Sequence, residues 1–219
     1  MFQKNNKLKV CVVFVFMALV LMVGRSEAQF SFISIDSFED GTTGKWYKFG
    51  NVGMTIENNP TSEAEDTVTE SCGEFSLRLK GGTTNWFVGG IGTDLGIDAA
   101  PYSRLQIDMY GSETGGKVKI ELFDDDNGNA VLEQDPSKDW VPTNDDKWVA
   151  EIPILSKGWS RYSIPFTAFK LENPGCGDGI WNPDQKDGSG GLLKIQVSLI
   201  AGEEKGKVDV ALDNLILTY

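Results

Sequence analysis

Two stretches in the middle of this sequence put carboxylates and aromatic rings in the same alternating pattern. Leu105-Gln106-Ile107-Asp108-Met109-Tyr110 and Val118-Lys119-Ile120-Glu121-Leu122-Phe123 each alternate apolar residues with polar or ring-bearing ones. Side chains along a strand point to opposite faces by turns. Leu105, Ile107, Met109, Val118, Ile120 and Leu122 therefore read as inward, and Asp108, Tyr110, Glu121 and Phe123 as one outward set. A third run, Leu193 to Ile200, turns Gln196 outward, and Trp181 stands on the Gly-rich loop Gly177 to Gln185. Trp86, in Thr84 to Gly90, is a similar loop tryptophan. Flat rings beside carboxylates and amides suit a sugar: the rings cover the C–H face of a pyranose while the polar groups bond its hydroxyls. The same residues also suit a mixed polar surface with scattered aromatics, a face covered by a loop, or tryptophans that pack their loops onto the sandwich. Asp108 and Glu121 raise hydrolysis as well, which needs two carboxyls roughly 5–10 Å apart across the scissile bond. It also needs a deep cleft and a raised acid pKa, of which the modest loops give little sign.

A second set of oxygens points to a cation. Glu39 and Asp40 precede the turn Gly41-Thr42-Thr43-Gly44, and Asp213 lies near the far end of the chain in Ala211 to Leu217. Calcium takes about six to eight oxygens, and a loop beside a strand end supplies both carboxylates and carbonyls. If the first and last strands pair, Glu39 and Asp213 meet at one end of the fold. Each is otherwise an ordinary surface acid. Phe123-Asp124-Asp125-Asp126-Asn127-Gly128-Asn129 also resembles a calcium loop. In EF-hand spacing, however, Gly128 falls where an oxygen ligand belongs, and no helices flank the stretch. Asn127-Gly128 is a strong hairpin signal, so a turn is the preferred reading.

The elements that must position these groups are short strands. Alternating runs separated by Gly, Asn, Asp and Pro are the mark of an antiparallel sandwich. They are Phe30 to Ile35, Phe75 to Lys80, Leu105 to Tyr110, Val118 to Phe123, Trp148 to Ile154, Trp159 to Phe166, Leu193 to Ile200 and Val208 to Leu217, with Trp46 to Phe49 and Trp86 to Val88 weaker. Thr167-Ala168-Phe169 reads as a single turn after Pro165, and Asn58 to Gly73 and Leu171 to Gly191 read as long loops.

The front of the chain reads as a signal peptide over residues 1–28. Lys4, Lys7 and Lys9 precede the apolar run Val10 to Val23, and Ser26-Glu27-Ala28 places cleavage before Gln29. An uncleaved membrane anchor is the alternative. Residues 29–219 then form one domain, and a secreted, extracellular or periplasmic location is expected. In that segment 16 Lys and Arg stand against 31 Asp and Glu, a net charge of −15. Such acidity argues against nucleic acid and anionic lipid as partners, and fits solubility, neutral ligands and cations. There is no histidine, which removes Ser-His and Cys-His nucleophiles and His-ligated zinc. Cys72 and Cys176 both sit in polar, Gly-containing stretches. An exported protein permits a bridge between them, but spacing alone does not establish one.

Across residues 30–219 the order of elements resembles the galactose-binding-like jelly roll of carbohydrate-binding modules, closest to family 11 modules and their relatives. Ser37-Phe38-Glu39-Asp40-Gly41 stands at the front, Glu74-Phe75-Ser76-Leu77-Arg78-Leu79 follows a loop, and Leu212-Asp213-Asn214-Leu215 closes the chain. The resemblance implies an all-β antiparallel sandwich and a structural calcium held by Glu39 and Asp213 with backbone oxygens. The expectation is thus a secreted, non-catalytic protein that binds polysaccharide or oligosaccharide through Asp108, Tyr110, Glu121, Phe123, Gln196 and Trp181. Two alternatives are an envelope or adhesive protein with a protein partner, and a sandwich glycoside hydrolase or lyase.

Overall fold

The structure is a computed structural model, and it describes residues 32–60, 73–112, 114–155 and 158–219. The expected leader and Cys72 lie outside the described residues; Cys176 is half-buried in a loop. No helix among the described residues is long and apolar enough to cross a membrane.

Among the described residues, fourteen strands alternate with turns: β1 (Ile33–Asp36), β2 (Tyr47–Gly50), β3 (Val52–Asn58), β4 (Phe75–Gly82), β5 (Phe87–Ile97), β6 (Arg104–Gly111), β7 (Lys117–Asp124), β8 (Gln134–Asp135), β9 (Val141–Pro142), β10 (Asp146–Pro153), β11 (Gly158–Pro165), β12 (Lys170–Leu171), β13 (Leu192–Ile200) and β14 (Lys207–Thr218). They build two six-stranded sheets, with β8 and β9 as a separate pair. Sheet one runs β11-β6-β14-β4-β3, with β1 also on β14; sheet two runs β12-β10-β7-β13-β5-β2. The pairs are antiparallel, so the expected all-β sandwich is the fold.

The core lies between the sheets, where the inward sets meet as expected. Leu105, Ile107 and Met109 face Val118, Ile120, Leu122, Ile195, Val197 and Leu199, and all are buried. Burying a large aliphatic side chain contributes roughly 1.5–3 kcal/mol, so this alternation carries much of the fold. The first and last strands do pair, with Ile33 opposite Leu217 and Ser34 opposite Ile216. β14 needs a bulge at Asn214, whose φ of 47° lies in the left-handed region. There the inward set moves from Val208, Val210 and Leu212 to Leu215 and Leu217, an extra residue restoring the burial pattern.

Consecutive β6 and β7 do not form a hairpin. β6 pairs with β11 and β14 in sheet one, whereas β7 pairs with β10 and β13 in sheet two. The intervening segment crosses from one sheet to the other. The turn expected after Pro165 is present as a 3-10 turn over Phe166–Ala168. β3 and most of β5 lie outside the expected strands; in β5, Gly89, Gly90, Gly92 and Gly96 interrupt the alternation.

Candidate functional site

The crossover divides the expected ligand set. Asp108 and Tyr110 lie on the outer side of sheet one, while Glu121, Phe123 and Gln196 belong to sheet two. The four residues expected to share one face therefore lie on opposite faces of the sandwich. Asp108 is fully buried. Arg161 clamps it with Nε and Nη2, each at 2.7 Å, and the Asn214 amide donates at 3.1 Å. Tyr110 is buried edge-on against Trp159, with ring centroids 5.6 Å apart. Trp181 packs toward the core, 4.9 Å from Phe166 and 5.9 Å from Trp148 between ring centroids. Asp108 and Glu121, on different sheets, cannot flank one scissile bond. Alternation is silent about which sheet a strand joins, so it groups outward residues that belong to different sheets.

Sheet two carries a groove of about 660 Å³ on its outer face. Its rows follow from register. Tyr47, Gly92, Gln196 and Glu121 lie in line across β2, β5, β13 and β7; Phe49, Gly90, Ser198 and Lys119 form the next row. The glycines of β5 explain the aromatic wall. A Cβ at Gly92 would strike the Tyr47 phenol, and one at Gly90 would sit 2.7 Å from Cζ of Phe49. The bare backbone is a shelf on which both rings rest. Phe87 extends the wall, stacked 16° from parallel on Phe49 at 6.4 Å. The Gln196 amide donates to the Tyr47 hydroxyl at 2.8 Å, and the Lys194 ammonium lies 5.4 Å from the centre of its ring.

The floor is polar. Glu121 accepts from the Ser198 hydroxyl at 3.0 Å and pairs with Lys147 at 2.7 Å and Lys119 at 3.2 Å. Both lysines also reach Glu172. Burial works against the Lys147 charge, but Glu121 and Glu172 outweigh it and raise its pKa above the usual range. Burial likewise opposes ionisation of Glu172, yet the Lys119 and Lys147 ammoniums hold its carboxyl below the usual range. Phe123, almost fully buried, closes the floor beside Lys147.

Trp140 also lines the groove and is 61 % exposed. It sits between β8 and β9, after a 3-10 turn whose start is capped by Asp135 accepting from the Ser137 N–H. The Gln134 side chain holds the Trp140 carbonyl at 2.6 Å. Tyr47, Phe49, Phe87 and Trp140 are outside the set that the sequence pattern picks out. Tyr47 and Phe49, two residues apart and so on one face, were the available signal. Trp140 stands in a stretch with no periodicity to assign it.

Among the described residues, two acidic clusters lie elsewhere. Beside the bulge, Asp213 is directly opposite Asp108, and Glu39 and Asp36 lie close enough to act on its charge. Burial, then the charges of Asp108, Glu39 and Asp36, push the Asp213 carboxyl up to about 8. Its Oδ2 is buried without a partner. Glu39 accepts the Glu74 and Phe75 N–H groups at 3.0 Å and keeps lone pairs free. An orphaned buried oxygen among acids fits a cation. At the far ends of β7 and β10, Asp124, Asp126 and Asp146 bring carboxylate oxygens within 4.8 Å of one another, a set that could hold a metal. Burial first, then mutual repulsion, pushes Asp124 up to about 8 and Asp126 to about 7.

No protein-family model and no curated protein matches the chain. Solved structures do. The family 11 carbohydrate-binding module of the cellulosomal cellulase Lic26A-Cel5E of Clostridium thermocellum superposes with a TM-score of 0.55 at 16% identity, over 86% of this chain and 95% of that one. A family 11 module from Clostridium thermocellum in complex with a β-1,3-1,4-mixed-linked tetrasaccharide gives 0.54 at 18%, over 85% and 95%. The chain shares its fold with family 11 carbohydrate-binding modules. An exo-β-agarase matches at a TM-score of 0.53 and 13% identity, over 85% of this chain and 25% of its own. At these identities the likeness describes the fold, which agrees with the resemblance carried by Ser37 to Gly41 and Leu212 to Leu215.

Proposed function

We propose that the chain binds polysaccharide in the groove of sheet two and does not cleave it. One observation carries this reading: Tyr47, Phe49 and Phe87 form a wall of rings, with Trp140 exposed on the same groove, around a floor of Gln196, Ser198, Glu121 and the lysines. The rings would stack on pyranose faces. Gln196 and Glu121, the part of the expected set that lies here, would bond hydroxyls with Phe123 beneath them. Asp108, Tyr110 and Trp181 take structural roles in this reading. The groove is open enough for a chain, and in its floor Glu121, Lys119 and Lys147 are already paired with each other and with Glu172, which suits an uncharged ligand. The tetrasaccharide bound by the module of like fold makes mixed-linkage β-glucan the first ligand to try.

Calcium shared by Glu39 and Asp213 would pin β1 to β14. The orphaned Asp213 Oδ2 supports this, and the ion would supply structural charge neutralisation rather than sugar contact. Export with cleavage after Ala28 completes the reading. Affinity electrophoresis through gels containing β-glucan, xylan or agar tests it. Retardation of the wild type, lost in Trp140→Ala with an unchanged melting temperature, is expected. Equal mobility of wild type and variant in every gel would overturn it, and so would release of reducing ends or capture of a protein in place of a glycan.

A further inference from the structure

We infer a second cation site, of calcium class, at Asp124, Asp126 and Asp146, separate from the groove and from the chain ends. Asp124 and Asp146 stand directly opposite each other on paired strands β7 and β10. Like charges in that position are destabilising unless something bridges them. Asp126 lies two residues along, on the same side as Asp124, and completes the set within 4.8 Å.

The oxygens are not consumed by the protein. Asp146 is 0% exposed; its Oδ2 accepts the Gly179 N–H at 2.7 Å, and its Oδ1 has no partner. Both oxygens of Asp126 are buried and unpartnered. The orphans converge: a Cβ on Gly177 would collide with Asp126 Oδ2 and lie 2.5 Å from Asp146 Oδ1. Asp124 is oriented by the Trp148 indole at 2.9 Å and the Asn182 N–H at 3.2 Å, leaving further lone pairs. The neighbouring Asp145, also fully buried, has an orphaned Oδ2 of its own. Among the described residues no lysine or arginine pairs with any of these acids.

The turn does not need them. Asp125, which faces the other way, takes the N–H groups of Gly128, Ala130 and Gly190 at 3.0, 2.8 and 2.7 Å and so builds the loop by itself. The hairpin expected at Asn127-Gly128 thus accounts for Asp125 and leaves Asp124 and Asp126 unexplained. The donor set is all oxygen, with no nitrogen or sulfur, which selects a hard cation, and calcium tolerates such an irregular cage. Bound there, the ion ties the ends of β7 and β10 to the long loop through Gly177, Gly179 and Asn182.

The test is calcium stoichiometry on the full chain after stripping with chelator, by equilibrium dialysis against calcium chloride. Asp126→Asn/Asp146→Asn binds one calcium fewer per chain than wild type, and Glu39→Gln/Asp213→Asn retains that ion. Should the first variant fail to fold, terbium added to Glu39→Gln/Asp213→Asn reads the site directly. Emission excited through the indole of Trp148, beside Asp124, appears and falls several-fold in Trp148→Phe. Equal stoichiometry in wild type and Asp126→Asn/Asp146→Asn, or no emission from the second background, overturns the proposal.

Discussion

The floor of the groove and the two acidic rims both bury carboxylates, and they treat them in opposite ways. In the floor, Lys119 and Lys147 each bridge Glu121 and Glu172, and Glu172 is held below the ordinary carboxylate range. At the rims, Asp213 and Asp124 form no ion pair among the described residues and are each pushed up to about 8. Burying charge is costly unless it is paired. The groove supplies its own counter-charge and is left free to meet a neutral ligand. Arg161 and Lys45 answer Asp108 and Asp36, so Asp213 and Asp124 are the acids left to a proton or a cation from outside. In the proposed reading one fold keeps recognition and cation binding in separate places.

Several variants break or sharpen this contrast. The largest effect belongs to Arg161→Leu, which strands the fully buried Asp108 on sheet one; stability in urea should fall by about 3–5 kcal/mol, while the folded fraction still binds ligand. Lys147→Met leaves Lys119 alone with two carboxylates, so denaturation should show a loss of about 1–3 kcal/mol. Gly92→Ala drives a methyl into the Tyr47 ring and Gln196; calorimetry should find affinity roughly tenfold weaker, about 1.4 kcal/mol, with little change in melting temperature. The pH response is shallower. Asp213 holds a proton in the folded chain up to about 8, against an ordinary value of 3.8. Between those limits the unfolded chain has released that proton and the folded chain has not. Stability in chelator should therefore fall as pH rises through the window. Asp213→Asn should make the slope shallower, leaving the part due to Asp124 and Asp126, and calcium should abolish it in the wild type.

Much of the fold was legible because period-two alternation reports burial directly. Leu105, Ile107 and Met109 pointed inward as read, and Ile33 to Asp36 did meet β14. What alternation cannot report is the partner strand, so Tyr110 and Phe123 were placed together although a crossover parts them. β5 was hidden for a related reason. Gly90 and Gly92 are there for their missing side chains, and a hydropathy pattern registers them as interruptions. Trp140 was invisible because its position is set by a capped turn and two left-handed residues, Asp139 and Trp140. A turn reading of Asp124 to Asp126 holds for Asp125. The roles of its two neighbours appear only once β10 brings Asp146 across.

The central claim is that recognition lies on sheet two and not on sheet one. Titration calorimetry with mixed-linkage β-glucan on wild type, Tyr47→Ala and Tyr110→Ala tests it most directly. The account predicts that Tyr47→Ala loses about 2 kcal/mol of binding, roughly thirty-fold, at near-native stability. Tyr110→Ala should lose about 3–5 kcal/mol of stability and bind normally wherever it is folded. Normal binding by Tyr47→Ala together with loss of binding by folded Tyr110→Ala would contradict it.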